Sequence, residues 1–274
     1  MLRAAKSILS HLKERADVAR ASAVVVSYPK SGRTWLRLLV GRALAEQFGV
    51  LGQTEADPDL MLRTRKLADL ADDIPSIVFS HDDRPHAKPT AQIQTDKSRF
   101  ARSRVVFLHR DPRDVAVSQF FSLTRRTQDG YIGTLTEFVR DPDLGPANHI
   151  AYLNVWARAR ENLPYVLFVS YRDLHADAVG VLKSVLAFAE AEEISRDVLE
   201  RTVAFGSFKN MRQLEAGGAF RSDMLRPADA SDTSTYKTRS GKVGGYQDHL
   251  GPDDIAHLDA LIQETLDPVY PYRA

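Results

Sequence analysis

The stretch Val24-Val25-Val26-Ser27-Tyr28-Pro29-Lys30-Ser31-Gly32-Arg33-Thr34-Trp35 constrains this chain more than any other. A short β-branched run meets a tight turn holding Pro and Gly. Apolar residues then recur at helical spacing (Leu36, Leu38, Leu39, Val40, Leu44). That order predicts strand, turn, helix. The turn would set Lys30, Ser31, Gly32, Arg33 and Thr34 at the helix N-terminus, where free backbone N–H groups and the positive end of the helix dipole converge. Two cations and two hydroxyls at that point make a cradle for phosphate or sulfate. An ordinary strand-to-helix turn with basic surface residues is the plainer alternative. So many anion-binding groups within one turn favour the cradle.

The loop departs from the ATP-type pattern G-x-x-x-x-G-K-[ST]. Ser27 stands at its first glycine and Arg33 at its lysine, while the loop's own lysine, Lys30, comes three positions early. It closely resembles the 5′-phosphosulfate loop, approximately Y-P-K-S-G-T-T-W, of the sulfotransferases that use 3′-phosphoadenosine 5′-phosphosulfate (PAPS). Only Arg33 departs from that pattern, where Thr is usual.

The 274 residues suffice for one large α/β domain or two small ones, and a 43% hydrophobic content suffices for a packed core. With 37 basic and 36 acidic side chains the net charge is +1, which makes no electrostatic case for nucleic acid as a partner. The charge is uneven. Residues 1–42 carry nine Lys or Arg against two acids, and residues 251–274 carry one Arg against five acids. The basic end contains the cradle, where a polyanion would bind. With no Cys, disulfide and thiolate chemistry are excluded. No apolar run approaches the roughly 20 residues of a membrane span. The amphipathic N-terminus (Leu2, Ala5, Ile8, Leu9, Leu12) lacks the apolar core of a signal peptide. A helix over residues 1–21 packed on the domain is expected, with a surface helix lying on a membrane as the alternative, and the expected location is cytoplasmic.

Further along, strands and helices alternate, which predicts an α/β fold. Gly49 to Pro58 reads as a loop. Ser76 to Ser80 reads as a second strand, with His81 at its end, on the edge where such sheets bind ligands. An imidazole there takes a proton from a hydroxyl near neutral pH. A surface or capping histidine is the alternative, and is the role expected of His11, His86 and His257. Arg104 to His109 is a third strand. Arg110-Asp111-Pro112-Arg113-Asp114-Val115-Ala116-Val117-Ser118 follows, with Pro112 suited to the first helical position. Two strand-to-helix junctions with cations would hold two separate anionic groups. Arg110 alone reads equally as an ion pair with Asp111 or Asp114. Residues 122–150 are polar, and Asn148 and His149 are candidates either for an acceptor pocket or for a solvated loop. Ile150 to Asn162 reads as a helix and Tyr165 to Ser170 as a fourth strand. Glu215 to Thr238 is long and poor in apolar residues, which predicts a lid or mobile segment. The last helix spans about Pro252 to Leu266.

The resemblance to PAPS-dependent sulfotransferases runs in ordered blocks from residue 23 to about 250. Arg110 to Ser118 is similar to the family's 3′-phosphate site, R-[ND]-P-[KR]-D-x-x-x-S. His81 stands where the family keeps a general base, commonly in K-T-H; here Phe79-Ser80-His81 lacks the lysine. Tyr171-Arg172-Asp173-Leu174 resembles Y-E-D-L, and Ser207-Phe208-Lys209-Asn210-Met211 resembles [TS]-F-x-x-M. Arg239-Ser240-Gly241-Lys242-Val243-Gly244-Gly245-Tyr246 resembles R-K-G-x-x-G-[DE]-W, with Ser240 for Lys and Tyr246 for Trp. Lys242 is a candidate replacement for that missing cation. The C-terminal K-x-x-x-T-V-x-x-x-E dimer motif of cytosolic members is absent.

The resemblance implies a P-loop-like three-layer α/β fold, with a central parallel sheet flanked by helices. It implies a single sulfotransferase domain over 1–274, in which 215–245 covers the cofactor. The implied reaction moves a sulfuryl group from PAPS to a hydroxyl or amine of a small-molecule, sugar or lipid acceptor, leaving adenosine 3′,5′-bisphosphate (PAP). His81 would take the acceptor proton, and Lys30 would face the bridging oxygen. Lys30, Ser31, Gly32, Arg33 and Thr34 would hold the 5′-phosphate, and Arg110, Ser118, Arg239, Ser240 and Gly241 the 3′-phosphate. Trp35, Tyr171, Phe208 and Met211 would hold the adenine nucleoside. No metal is expected. The alternatives are an ATP-dependent P-loop kinase, which needs Mg²⁺, and a non-catalytic binder of nucleotides or sulfated ligands.

Overall fold

A computed structural model describes residues 16–126, 130–191 and 193–273. Its centre is the valine run of the opening stretch. β1 (Ala23–Ser27) is buried along its whole length, as a strand covered on both faces must be. β2 (Ile77–Ser80) and β3 (Val105–His109) flank it, and β4 (Val166–Ser170) lies beyond β3. All neighbours pair in parallel, with Val25 opposite Phe79 and Val106, and Phe107 opposite Phe168. The order β2-β1-β3-β4 was not legible in the sequence, and it decides where a ligand goes. The chain steps from β1 to one side and then returns to the other. That reversal opens a crevice at the carboxyl ends of β1 and β3. The turns that leave these two strands are the two junctions picked out above.

Helices cover both faces. Side-chain alternation sends Val25 and Val106 into one core, with Leu36, Leu39 and Leu44 of α1 (Arg33–Gln47). Val24, Val26 and Phe107 go into the opposite core, with Leu153 and Trp156 of a helix that runs from Pro146 to Asn162. The expected three-layer α/β architecture is therefore present. Residues 16–20 are helical, and the rest of the expected N-terminal helix lies outside the described residues. Among the described residues no helix is long and apolar enough to cross a membrane.

Two local expectations are corrected. Gly49 to Pro58 contains a helix, Leu51–Ala56, where a loop was expected. Asn148 and His149 lie in a helix and not in a solvated loop. The Pro146–Asn162 helix starts four residues earlier than its apolar pattern indicates, because Pro146 opens it, and it buries both side chains. Tyr28 donates to Asn148 Oδ1 at 2.9 Å, and its ring lies 4.4 Å from that of His149. The polar segment after Glu215 is also better anchored than its composition indicates. Phe220 and Leu225 are buried against Leu38, Met61 and Met211. The Glu215 carboxylate accepts from the Lys237 and Thr238 amides and the Thr238 hydroxyl at 2.6–3.0 Å.

Candidate active site

The loop after β1 makes its turn with left-handed backbone at Lys30 (φ 69°) and Gly32 (φ 95°). Gly32 also answers a close approach. A Cβ there would stand 2.4 Å from Cδ2 of Tyr171, so the aromatic ring packs directly on the loop. α1 begins immediately after Gly32, and its first-turn amides face the turn. At the second junction, Asp111 caps the helix Pro112–Arg125 (α2) by accepting from the Arg113 amide, and Pro112 sits in the first turn.

The two junctions open on one cavity of ≈590 Å³. Lys30, Gly32, Arg33, Thr34, Trp35, His81, Arg110, Ser118, Tyr171, Phe208, Met211, Arg239, Ser240 and Gly241 all line it. Of the site residues expected from sequence only Ser31 does not; its side chain is fully buried behind the loop. Trp35 is fixed by an indole N–H donated to the Gly206 carbonyl at 2.8 Å, and its ring meets Tyr171 edge-on at 6.1 Å. Tyr171 donates to the Gly241 carbonyl at 3.2 Å. Gly241 has φ 65°, and a Cβ on it would stand 2.6 Å from the Phe208 ring. The 239–246 stretch is tied to α2 by Asp114, which accepts from the Gly244 and Tyr246 amides at 3.0 and 3.1 Å.

Arg110 crosses between the blocks. It donates to the carbonyls of Lys30 and Lys242, pairs with Asp114 at 3.3 Å and stacks on Tyr171 at 4.1 Å. Lys242 is exposed, pairs with Asp248 at 2.8 Å and lines the same cavity. Ser240 itself borders the cavity.

His81 has a defined tautomer. Its Nδ1 lies 2.9 Å from the Ser27 carbonyl, which only accepts, so Nδ1 carries the proton. Nε2 then presents a lone pair, and Arg33 donates to it. Burial, then the Arg33 charge, with His86 and Arg37 adding to it, holds the imidazole well below its ordinary pKa despite the Ser27 hydrogen bond. The ring is neutral at physiological pH. Lys30 is likewise pushed well below the ordinary lysine range, by burial and by the charges of Lys237, Arg126, Arg110 and Arg239. The turn that carries His81 is held by a buried carboxylate. Asp82 takes Lys97 at 2.7 Å, Arg99 at 2.5 Å and the Trp156 indole at 3.0 Å, while Asp82, Asp83 and Arg84 all have positive φ.

Sequence reasoning missed His86, Arg37 and Lys237, which all line the cavity. His86, expected on the surface, meets His81 edge-on at 5.5 Å. Burial and the charges of Arg84 and Arg33 lower its pKa to about 4. Arg37 lies four positions after Arg33 on α1 and therefore shares its face, a spacing that was available in the sequence. No local signal marks Lys237 within its polar segment.

A phosphosulfate nucleotide fits this wall. Arg110 Nε, at the second junction, is a buried donor without a hydrogen-bond partner among the described residues. Such atoms are costly unless a ligand supplies the partner. The cations around Lys30 repel one another, and an anion in the cavity would relieve that repulsion.

The chain matches the sulfotransferase domain family over residues 20–269. It is 26% identical to cytosolic sulfotransferase 17 of Arabidopsis thaliana, over 88% of this chain and 72% of that one. It is 21% identical to sulfotransferase 2A1 of Rattus norvegicus, over 95% and 90% of the two chains. In fold it is similar to mouse sulfotransferase SULT7A1 complexed with PAP (TM-score 0.59, 20% identity, 90% of this chain and 84% of that one). It is also similar to retinol dehydratase in complex with androsterone and inactive cofactor PAP (TM-score 0.62, 20% identity, 95% and 87%).

Proposed function

The chain belongs to the sulfotransferase family, and from that premise we propose that it moves a sulfuryl group from PAPS to a hydroxyl or amine of a small-molecule, sugar or lipid acceptor, without a metal. PAPS, when bound, supplies an activated sulfuryl group and leaves as PAP. Lys30, Ser31, Arg33 and Thr34, with the first-turn amides of α1, bind its 5′ end. Arg110, Ser118 and Arg239, with Ser240 and Gly241, bind its 3′-phosphate, and Trp35, Tyr171, Phe208 and Met211 enclose the nucleoside.

His81 holds the proton step. Nδ1–H is fixed on Ser27, so Nε2 receives the proton of the acceptor as the acceptor oxygen or nitrogen bonds to sulfur. The bond from sulfur to the bridging oxygen breaks, and Lys30 stabilises the charge left on the phosphate. Arg33 must leave Nε2 for an acceptor to reach it, and an anion in the loop gives its guanidinium a stronger partner. The 215–245 segment covers the cofactor and excludes water. The whole chain acts as one sulfotransferase domain, in the cytoplasm.

One observation carries this proposal: two strand-to-helix junctions open on the cavity that His81 also faces, and at the second of them Arg110 Nε is an orphaned buried donor. Calorimetry with PAP, ATP and ADP in the absence of Mg²⁺ tests it. Tight PAP binding that depends on the 3′-phosphate is expected. A preference for ATP, or a requirement for Mg²⁺, would overturn it in favour of a kinase.

A further inference from the structure

The cavity wall carries more cation than PAPS would use. With Lys30, Arg33, Arg110 and Arg239 placed on the co-substrate and Lys242 paired with Asp248, Arg37 and Lys237 remain on the same wall. Among the described residues the one carboxylate lining the cavity, Asp114, pairs with Arg110. Among the described residues neither Arg37 nor Lys237 takes part in an ion pair. Glu215 lies near Lys237, but its oxygens are taken by the Lys237 and Thr238 amides and the Thr238 hydroxyl.

Arg37 is the more telling of the two. Its guanidinium lies 4.6 Å over the Phe79 ring and donates to the Met224 sulfur, and its Nε is buried without a partner. A cation held against a ring and a thioether, with a donor unused, lacks its natural counter-charge. Phe79 and His81 are two apart at the end of β2, so Arg37 stands on the His81 side of the cavity. Lys237 feels the charges of Arg126, Arg33 and Arg37; with desolvation as the larger cause, they lower it to about 8. Val117, Leu123 and Met224 supply apolar wall nearby.

We propose that the acceptor carries a negative charge of its own, a carboxylate or an oxyanion of similar size, seated on Arg37 and Lys237 with its nucleophilic hydroxyl or amine turned to His81. The anion completes the hydrogen bonding of Arg37 and relieves the repulsion around Lys237. This rests on the sulfotransferase reading and narrows its acceptor to an anionic class.

The test uses the full chain loaded with PAP and titrated with three pairs of probes: 4-hydroxyphenylacetate, cholate and glucuronate, each against its methyl ester. At least one acid should bind about tenfold or more tighter than its ester, the size of one charge-assisted hydrogen bond. Arg37→Met and Lys237→Met should each remove that preference while keeping PAP affinity within about twofold. Equal binding or an ester preference in all three pairs, or no binding by any probe, would overturn the proposal. So would variants that lose PAP affinity yet keep the acid preference, because the two cations would then belong to the co-substrate. Failure of the wild type to take PAP would overturn the sulfotransferase reading instead. The acid preference measured on the unloaded protein then still decides the role of Arg37 and Lys237.

Discussion

Arg33 donates a hydrogen bond to Nε2 of His81 at 2.5 Å, across 48 positions of sequence. The contact joins the residue that departs from the sulfotransferase loop pattern to the imidazole proposed as base. It places a fixed positive charge on the nitrogen that would receive the proton.

That contact makes a prediction about pH. His81 is lowered by burial and by Arg33, with smaller contributions from His86 and Arg37, and is raised by Ser27. The neutral ring is the competent form, so the acid limb of the rate profile should fall below 6.5. Arg33→Thr removes the adjacent cation and stabilises the protonated ring. The limb should then move to higher pH, as a profile of kcat/KM between pH 4 and 8 would show. An unmoved limb would mean that another group controls it.

Replacing His81 itself separates chemistry from binding. His81→Ala should lower sulfuryl transfer by roughly 100- to 10,000-fold, the usual contribution of a positioned base. PAP affinity measured by calorimetry should be retained, since both proposed phosphate sites lie on other elements. Retained activity would remove His81 from the base role.

The second junction is addressed by Arg110→Met. Affinity for PAP should fall roughly 10- to 100-fold, matching a lost charged hydrogen bond of about 1.5–3 kcal/mol. Adenosine 5′-phosphosulfate, which has no 3′-phosphate, should lose little. Equal losses on both ligands would mean that Arg110 acts only through its contacts with Lys30 and Lys242.

The turn beyond His81 depends on Asp82, whose carboxylate serves Lys97, Arg99 and Trp156. Asp82→Ala leaves the buried Lys97 ammonium uncompensated and should cost about 3–5 kcal/mol of stability in denaturant titrations. Asp82→Ala with Lys97→Met removes both charges and should recover most of that loss. If the single variant is as stable as the wild type, the network does not hold the turn.

Much of the fold and site was legible because its signals are local. The valine run, Pro29 and Gly32, the helical spacing after Trp35, and Pro112 after Arg110 each act within a few residues, through backbone dihedrals, caps and periodicity. They place the strands, the two junctions and the site residues that the structure gathers around one cavity. Only the tertiary structure decided the order β2-β1-β3-β4, which puts both junctions beside one crevice. It also decided that His86, Arg37 and Lys237 face that crevice while Asn148 and His149 are buried in a helix. Phe220 and Leu225 tie down a segment whose composition reads as loose, because their partners Leu38 and Met61 are far away in sequence. Burial and charge are summed over space, and residues distant in the chain set them. A pattern read along the sequence records which groups are available, and packing decides which of them meet.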